Sequence, residues 1–182
     1  MIIGITGTLG AGKGTVVEYL VKERGFRHFS ARDVWNEEIA RRSWPSNRDN
    51  MVIVANELRA QHGSDYFART ALARAKEQEV DAVIESIRSI GEAKYLKENG
   101  ALLWAVDADK RVRYERAVLR GSETDKLSYE KFVEDETKEF ANTDPTKQDI
   151  SGVMKMSDVV FQNNGTREEL FAQIEKELGK SL

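Results

Sequence analysis

Gly7-Thr8-Leu9-Gly10-Ala11-Gly12-Lys13-Gly14-Thr15 stands between an apolar β-branched run, Met1-Ile2-Ile3-Gly4-Ile5-Thr6, and Val16-Val17-Glu18-Tyr19-Leu20-Val21-Lys22, which is apolar at helical spacing. A strand, a glycine-rich loop and a helix start, in that order, are the setting of a phosphate-binding loop. Glycines let successive backbone N–H groups converge on an anion, and the helix dipole adds partial positive charge at the same point. Lys13 is then placed to reach the β- and γ-phosphates of a nucleoside triphosphate, and a hydroxyl at the helix start to hold Mg2+. Two other readings compete. A plain turn needs neither so many glycines nor a lysine, and a dinucleotide fingerprint would put its third glycine at Thr15 and leave Lys13 without a task. Gly7, Thr8, Leu9, Gly10, Ala11, Gly12, Lys13, Gly14 and Thr15 are therefore read together as a nucleotide cradle.

The chain of 182 residues is 40% hydrophobic and 32% charged, which suits one globular domain spanning 1–182. The absence of cysteine excludes disulfides and thiolate metal sites. His28 and His62 are too few for a histidine metal centre, and neither is given a role. A net charge of −3 argues against a general nucleic-acid binder. No apolar run approaches the ~20 residues that span a bilayer, and the first residues read as a strand rather than a signal peptide. A cytoplasmic protein without a membrane partner is the expectation. Oligomeric state leaves no mark in the sequence.

Strands are expected over 2–6, 26–30, 82–86, 102–106 and 159–162, and helices over 13–24, 33–42, 48–62, 65–78, 91–98, 109–120, 129–140 and 166–178. This alternation reads as an α/β fold, a five-stranded parallel sheet covered by helices on both faces. Pro45 and Pro145 fall in polar, loop-like stretches. The segments at about 33–79 and 111–157 look like insertions over the C-terminal edge of the sheet, where ligands bind in such folds.

The strict phosphate-loop pattern has Ser or Thr directly after its lysine, whereas Gly14 stands here and Thr15 follows. This GxxGxGKGT form resembles the loop of adenylate kinase and related nucleoside monophosphate kinases, in which the threonine faces metal and phosphates. The resemblance covers nearly the whole chain, because that family places an acceptor-binding helical region and a mobile lid at the two inserted segments. It implies a P-loop fold of nucleoside monophosphate kinase type, ATP and Mg2+ as cofactors, and a small nucleotide as acceptor. Dephospho-CoA kinases share the fold.

Where these kinases read Ser-Thr-Gly-Asp after the second strand, with an arginine three residues on, this chain has Ser30-Ala31-Arg32-Asp33 and then Asn36. Asp33 matches, and Arg32 or Arg41 stands in for the missing arginine. The resemblance gives Asp33 the task of orienting the acceptor or, as in dephospho-CoA kinases, of deprotonating its hydroxyl. The local reading is a helix N-cap ahead of Val34-Trp35. The run from Glu57-Leu58-Arg59 through Gly63 to Ala68-Arg69 looks like the Glu-Leu-Arg…Gly…Ala-Arg segment of small P-loop kinases. Arg59 and Arg69 bracket Gly63, and guanidinium groups suit bidentate contact with phosphate; the competing reading is a pair of solvated helix arginines. Glu85-Ser86-Ile87-Arg88-Ser89 is similar to the Asp-Gly-Ile-Arg-Ser of dephospho-CoA-kinase-like proteins. On that likeness Glu85 reaches toward Mg2+ through water and Arg88 clamps the acceptor phosphate or the transferring group. An ordinary strand-end acid is the alternative for Glu85.

Arg113, Arg116 and Arg120 recur at helical spacing, so they are expected on one face, aimed at the phosphates or solvated beside Glu115 and Glu123. Arg116 and Arg120 are the lid candidates. Where related kinases supply further lid arginines, this chain reads Glu134-Asp135-Glu136-Thr137-Lys138-Glu139, with Lys138 and Lys147 as the nearby replacements. Asn163-Asn164-Gly165 resembles the Asn-x-Gly turn whose backbone packs on adenine, which assigns Asn163 and Gly165 to the donor; a plain turn competes, with Thr166 or Gly165 capping the next helix. Trp104 reads as core, whereas Trp35 and Trp44 are offered as base-stacking rings. The preferred function is ATP- and Mg-dependent phosphoryl transfer to a (deoxy)nucleoside monophosphate. A dephospho-CoA kinase and a nucleotide-binding ATPase or switch are the alternatives.

Overall fold

The computed structural model describes residues 1–120, 128–140 and 148–180, apart from the side chains of Arg48, Arg120, Asp135, Lys138, Glu139 and Phe140. Gly121, Glu123, Pro145 and Lys147 therefore lie outside the described residues, as do the side chains of the candidates Arg120 and Lys138. The elements in chain order are β1 (Ile2–Gly7), α1 (Lys13–Arg24), β2 (Arg27–Ser30), α2 (Ala31–Arg41), α3 (Arg48–His62), α4 (Tyr66–Glu77), β3 (Ala82–Glu85), α5 (Ile90–Glu98), β4 (Leu102–Asp107), α6 (Lys110–Arg120), α7 (Tyr129–Phe140), α8 (Ile150–Lys155), β5 (Val159–Gln162) and α9 (Arg167–Leu178). The five strands are all parallel, in the order β2-β3-β1-β4-β5. This is the α/β sheet that the alternation anticipates.

Alternation along the strands divides the core in two. Ile3, Ile5, Val83, Trp104 and Phe161 face Val16, Leu20, Leu170 and Ile174, the apolar stripes of α1 and α9. Ile84 and Leu103 face the other way, toward Val34, Ile39, Leu58, Phe67, Leu72 and Leu96 of α2 to α5. Trp104 is 1% exposed, so its reading as core holds. The central strands are buried on both faces, which accounts for the nearly unbroken apolar runs of β1 and β4.

Two local readings are corrected. α8 was not anticipated: it has six residues and contains Gly152, too short for a helical period to register. Its N-cap is Asp149, whose side chain accepts from the Gly152 N–H. α2 begins at Ala31 rather than 33, and its N-cap is Ser30, not Asp33. Ser30 Oγ accepts from the Asp33 N–H at 3.2 Å and donates to Asp33 Oδ2 at 2.7 Å, so Asp33 sits in the first turn as the cap's partner. For the turn after β5, Thr166 is the cap, in a capping box with Glu169.

Candidate functional site

The glycine loop leaves the central strand at Gly7 and closes on α1, whose N-cap is Gly12 in the left-handed region (φ 100). A Cβ there would come within 2.3 Å of Asn163 Nδ2, and one on Gly10 (φ 77) within 2.3 Å of the Arg113 carbonyl oxygen. The left-handed backbone favours glycine at both positions, and at Gly10 the Arg113 backbone also leaves no room for a side chain. Lys13, the first residue of α1, folds back along the loop, and its ammonium donates to the carbonyls of Gly7 (2.8 Å) and Thr8 (2.9 Å). Thr8 Oγ1 donates to Asp107 Oδ1 at the end of β4, 2.8 Å away. Asn163, 7% exposed, donates through Nδ2 to the Ala11 carbonyl at 2.7 Å.

Glu85 ends β3, paired in register with Ile5 on one side and Ser30 on the other. His28 Nε2 lies 3.0 Å from Glu85 Oε2. That hydrogen bond holds the Glu85 carboxyl below its usual range despite partial burial, and the charges of His28, Lys13 and Arg88 act in the same direction. Lys13, Glu85 and Arg88 therefore share one neighbourhood at the ends of β1 and β3. Among the described residues no group of three or more His, Cys, Asp or Glu side chains is arranged to hold a metal ion. A hydroxyl (Thr15) and an ionised carboxylate (Glu85) are nevertheless the hard oxygen donors that suit Mg2+, which usually takes its remaining ligands from water and phosphate.

Arg88 is fixed at its backbone. Its N–H donates to Glu92 Oε2 (2.8 Å) and its carbonyl accepts from Asp149 N–H (2.9 Å), while its Nη1 donates to Gln148 Oε1 (3.2 Å). Glu92, 1% exposed, completes the capping box of α5 with Ser89. Burial pushes the Glu92 carboxyl up, and the Arg88 N–H and the charge of Arg59 oppose that rise.

The helical segment after β2 holds its arginines against acids. Arg74 pairs with Glu37, Arg41 and Arg42 with Glu38, and Arg42 also with Glu57 of α3. Arg69 Nε lies 3.2 Å from Asp65 Oδ2, and its Nη2 donates to the His62 carbonyl. Arg59 instead stacks on Trp35, its guanidinium carbon 5.4 Å from the ring centroid, and Arg32 is exposed in the first turn of α2. The reading of Trp35 as a base-stacking ring is overturned: it is 6% exposed, lying against Tyr66 and Phe67 as well as Arg59. Trp44 is 38% exposed, with Arg42 over its ring.

The expected common face of lid arginines is also corrected. Arg113 is 5% exposed and turned inward: Nε donates to the Ala108 carbonyl (2.8 Å), and Nη1 to the Leu9 carbonyl (3.3 Å) and to Glu136. Arg116 crosses to the turn after β5, donating to the carbonyls of Asn163 (2.7 Å) and Gly165 (3.5 Å). Arg111 is the one that pairs with Glu115 on the surface. Sequence reasoning passed over His28, Asp107 and the inward Glu136. A local signal existed for Asp107, a strand-end acid like Glu85, whereas His28 takes its meaning from Glu85, which strand pairing brings to it. None existed for Glu136, which reads as one acid in a run of them.

A glycine-loop strand at the centre of a 2-3-1-4-5 parallel sheet defines a P-loop protein with the fold of the P-loop kinases. The chain belongs to the family described as an AAA domain, whose model matches residues 3–141, and to the UPF0200 proteins. The UPF0200 protein of Thermococcus kodakarensis is 32% identical over 184 residues, covering 97% of this chain and 95% of that one. Among solved structures, a shikimate kinase from Bacteroides thetaiotaomicron superposes with a TM-score of 0.56 at 15% identity, covering 99% of this chain and 98% of its own. A Thermus thermophilus protein does so with a TM-score of 0.61 at 19% identity, covering 99% and 97%. At these identities the likeness shows the fold alone. Among the described residues no helix is long and apolar enough to cross a membrane.

Proposed function

We propose that this protein transfers a phosphoryl group from ATP, in the presence of Mg2+, to a small nucleotide acceptor, in the first place a (deoxy)nucleoside monophosphate. The observation that carries the proposal is the glycine loop at the end of β1 with the Lys13 ammonium folded along it, beside the adjacent strand that ends at Glu85 in register with Ile5. The loop amides and Lys13 would bind the donor phosphates, and Thr15 with Glu85 would hold the metal. When bound, the ion would neutralise charge on the β- and γ-phosphates. Arg88, with Arg59, Arg69 and Arg32, would receive the acceptor phosphate. For Arg69, that requires release from Asp65. Arg116 and Arg120 would approach from the segment after β4, and the Asn163–Gly165 turn would lie against the base. The chain would act as one domain, with an acceptor region at about 33–79 and a lid at about 111–157 that excludes water as a competing acceptor.

A specific observation favours a second reading, transfer to a hydroxyl as in dephospho-CoA kinase. The acids of α2 to α4 already engage Arg41, Arg42, Arg69 and Arg74, and Asp33 stands at the head of α2 in a bond with Ser30. Asp33 would then take the proton of the acceptor hydroxyl. The decisive experiment is an acceptor screen over ribo- and deoxyribonucleoside monophosphates and dephospho-CoA, with products identified by mass. Asp33→Asn should lower turnover by roughly 10²–10⁴-fold for a hydroxyl acceptor, and far less for a phosphate that is already ionised. Lys13→Met should lower kcat/KM by about 10²–10³-fold with either acceptor. ATP consumption that no acceptor accelerates would replace both readings with an ATPase or switch.

A further inference from the structure

The acidic run of α7 stands where basic residues are expected, and its Glu136 is turned inward with a side chain only 9% exposed. There it meets Arg113, 6% exposed at its side chain, and Lys110 Nζ at 3.4 Å. The same Arg113 touches the phosphate loop twice. Its Nη1 donates to the Leu9 carbonyl, and its own carbonyl lies where a Gly10 side chain would begin. Asp107, 3.7 Å from Arg113 Nε, accepts the Thr8 hydroxyl. Three consecutive loop residues, Thr8, Leu9 and Gly10, thus rest on one buried arginine and its carboxylate neighbour.

We infer that Arg113 is the positioning residue of the phosphate loop, and that Glu136 of α7 holds it there. An arginine suits the place because its planar fork carries several donors at fixed angles, so Ala108, Leu9 and Glu136 can be engaged at once. A buried guanidinium also requires a counter-charge, which explains an acid at this point of α7. The role assigned to Arg113 runs through the carbonyl of Leu9 and the backbone of Gly10. The acidic helix then governs nucleotide binding by fixing the loop, although its charge has the wrong sign to meet phosphate. The consequence for nucleotide rests on the reading of the loop as a triphosphate site; the consequence for loop shape does not.

The test uses Glu136→Gln, the double variant Arg113→Met with Glu136→Leu, and Glu115→Gln as a surface control that also removes one charge from an ion pair. The first readout is amide hydrogen exchange at Ala11, whose N–H donates to the Thr8 carbonyl across the loop, in protein without nucleotide. The second is MgATP affinity by calorimetry, and the third is Tm. Both Glu136 variants should lose protection at Ala11 and bind MgATP roughly ten- to a hundredfold more weakly, while Glu115→Gln matches the wild type. The double variant restores buried packing without charge, so it should recover Tm but not loop protection. If it recovers loop protection together with Tm, or if Glu136→Gln leaves Ala11 exchange unchanged, the inference is overturned. Loss of protection in a protein whose wild type binds no triphosphate would uphold the positioning role and sink the donor-site reading instead.

Discussion

Ser86 follows the strand-end acid with φ 73, in the left-handed region that L side chains rarely adopt. The similar kinase segment carries glycine at this point, so the chain keeps the backbone turn without the residue that makes it easy. Ser86→Gly relieves the strain but adds freedom to the unfolded chain. The balance should be stabilising by about 0.5–1 kcal/mol, read as a higher urea midpoint at unchanged slope; a lower midpoint would contradict the argument. Glu85 and Arg88 were legible as site candidates because strand ends and short motifs are local. His28 was not, because its meaning lies in a carboxylate 57 residues away, brought to 3.0 Å by strand pairing.

At the scale of elements, α2 is joined to α3 through Glu38, Arg42 and Glu57. The guanidinium groups of Arg41 and Arg42 hold the Glu38 carboxyl at about 2, below its ordinary 4.5. A folded value below the unfolded one means that the group's contribution is complete above about 4.5 and fades as pH falls toward about 2. The stability gap between wild type and Glu38→Gln should therefore be constant near neutrality and close over that acid range in urea melts. It should be modest, because Arg41 is 74% exposed and solvent screens its share. α5 depends on a buried cap. Ser89, 4% exposed, accepts from Glu92 N–H and donates to the Ser64 carbonyl at 3.2 Å. Ser89→Ala should cost about 1–2 kcal/mol in the same measurement, whereas no loss would mean that the box is satisfied without its hydroxyl. Ser-x-x-Glu before an apolar helix was readable in advance in a way that the Ser64 contact was not.

Across the whole molecule, the turn after β5 anchors the loop after β1. Asn163 does this through partners far off in sequence: its backbone N–H donates to the Asp107 carbonyl of β4 and its side chain to the Ala11 carbonyl. Asn163→Ala leaves the Ala11 carbonyl without that donor and should cost about 1–3 kcal/mol. Calorimetry should also show weaker MgATP binding, and unchanged affinity would confine the residue to stability. The contact is a task of the side chain, separate from the base packing that the resemblance assigns to the backbone of this turn.

Every element but the short α8, and the phosphate-binding character of the glycine loop, can be read from neighbouring residues. Helical and strand periods, glycines that admit positive φ, and a lysine at a helix start are properties of neighbouring residues, and they survive without knowledge of what packs where. The order β2-β3-β1-β4-β5 and the partners of the buried charges come from the tertiary structure. Spacing can tell which face of a helix a residue occupies, but not what that face meets. Arg113 and Glu136 illustrate the difference. One reads as part of a basic stripe and the other as part of an acidic run, yet burial brings the two together beneath the phosphate loop. A charge taken out of water must find its opposite wherever the fold offers one.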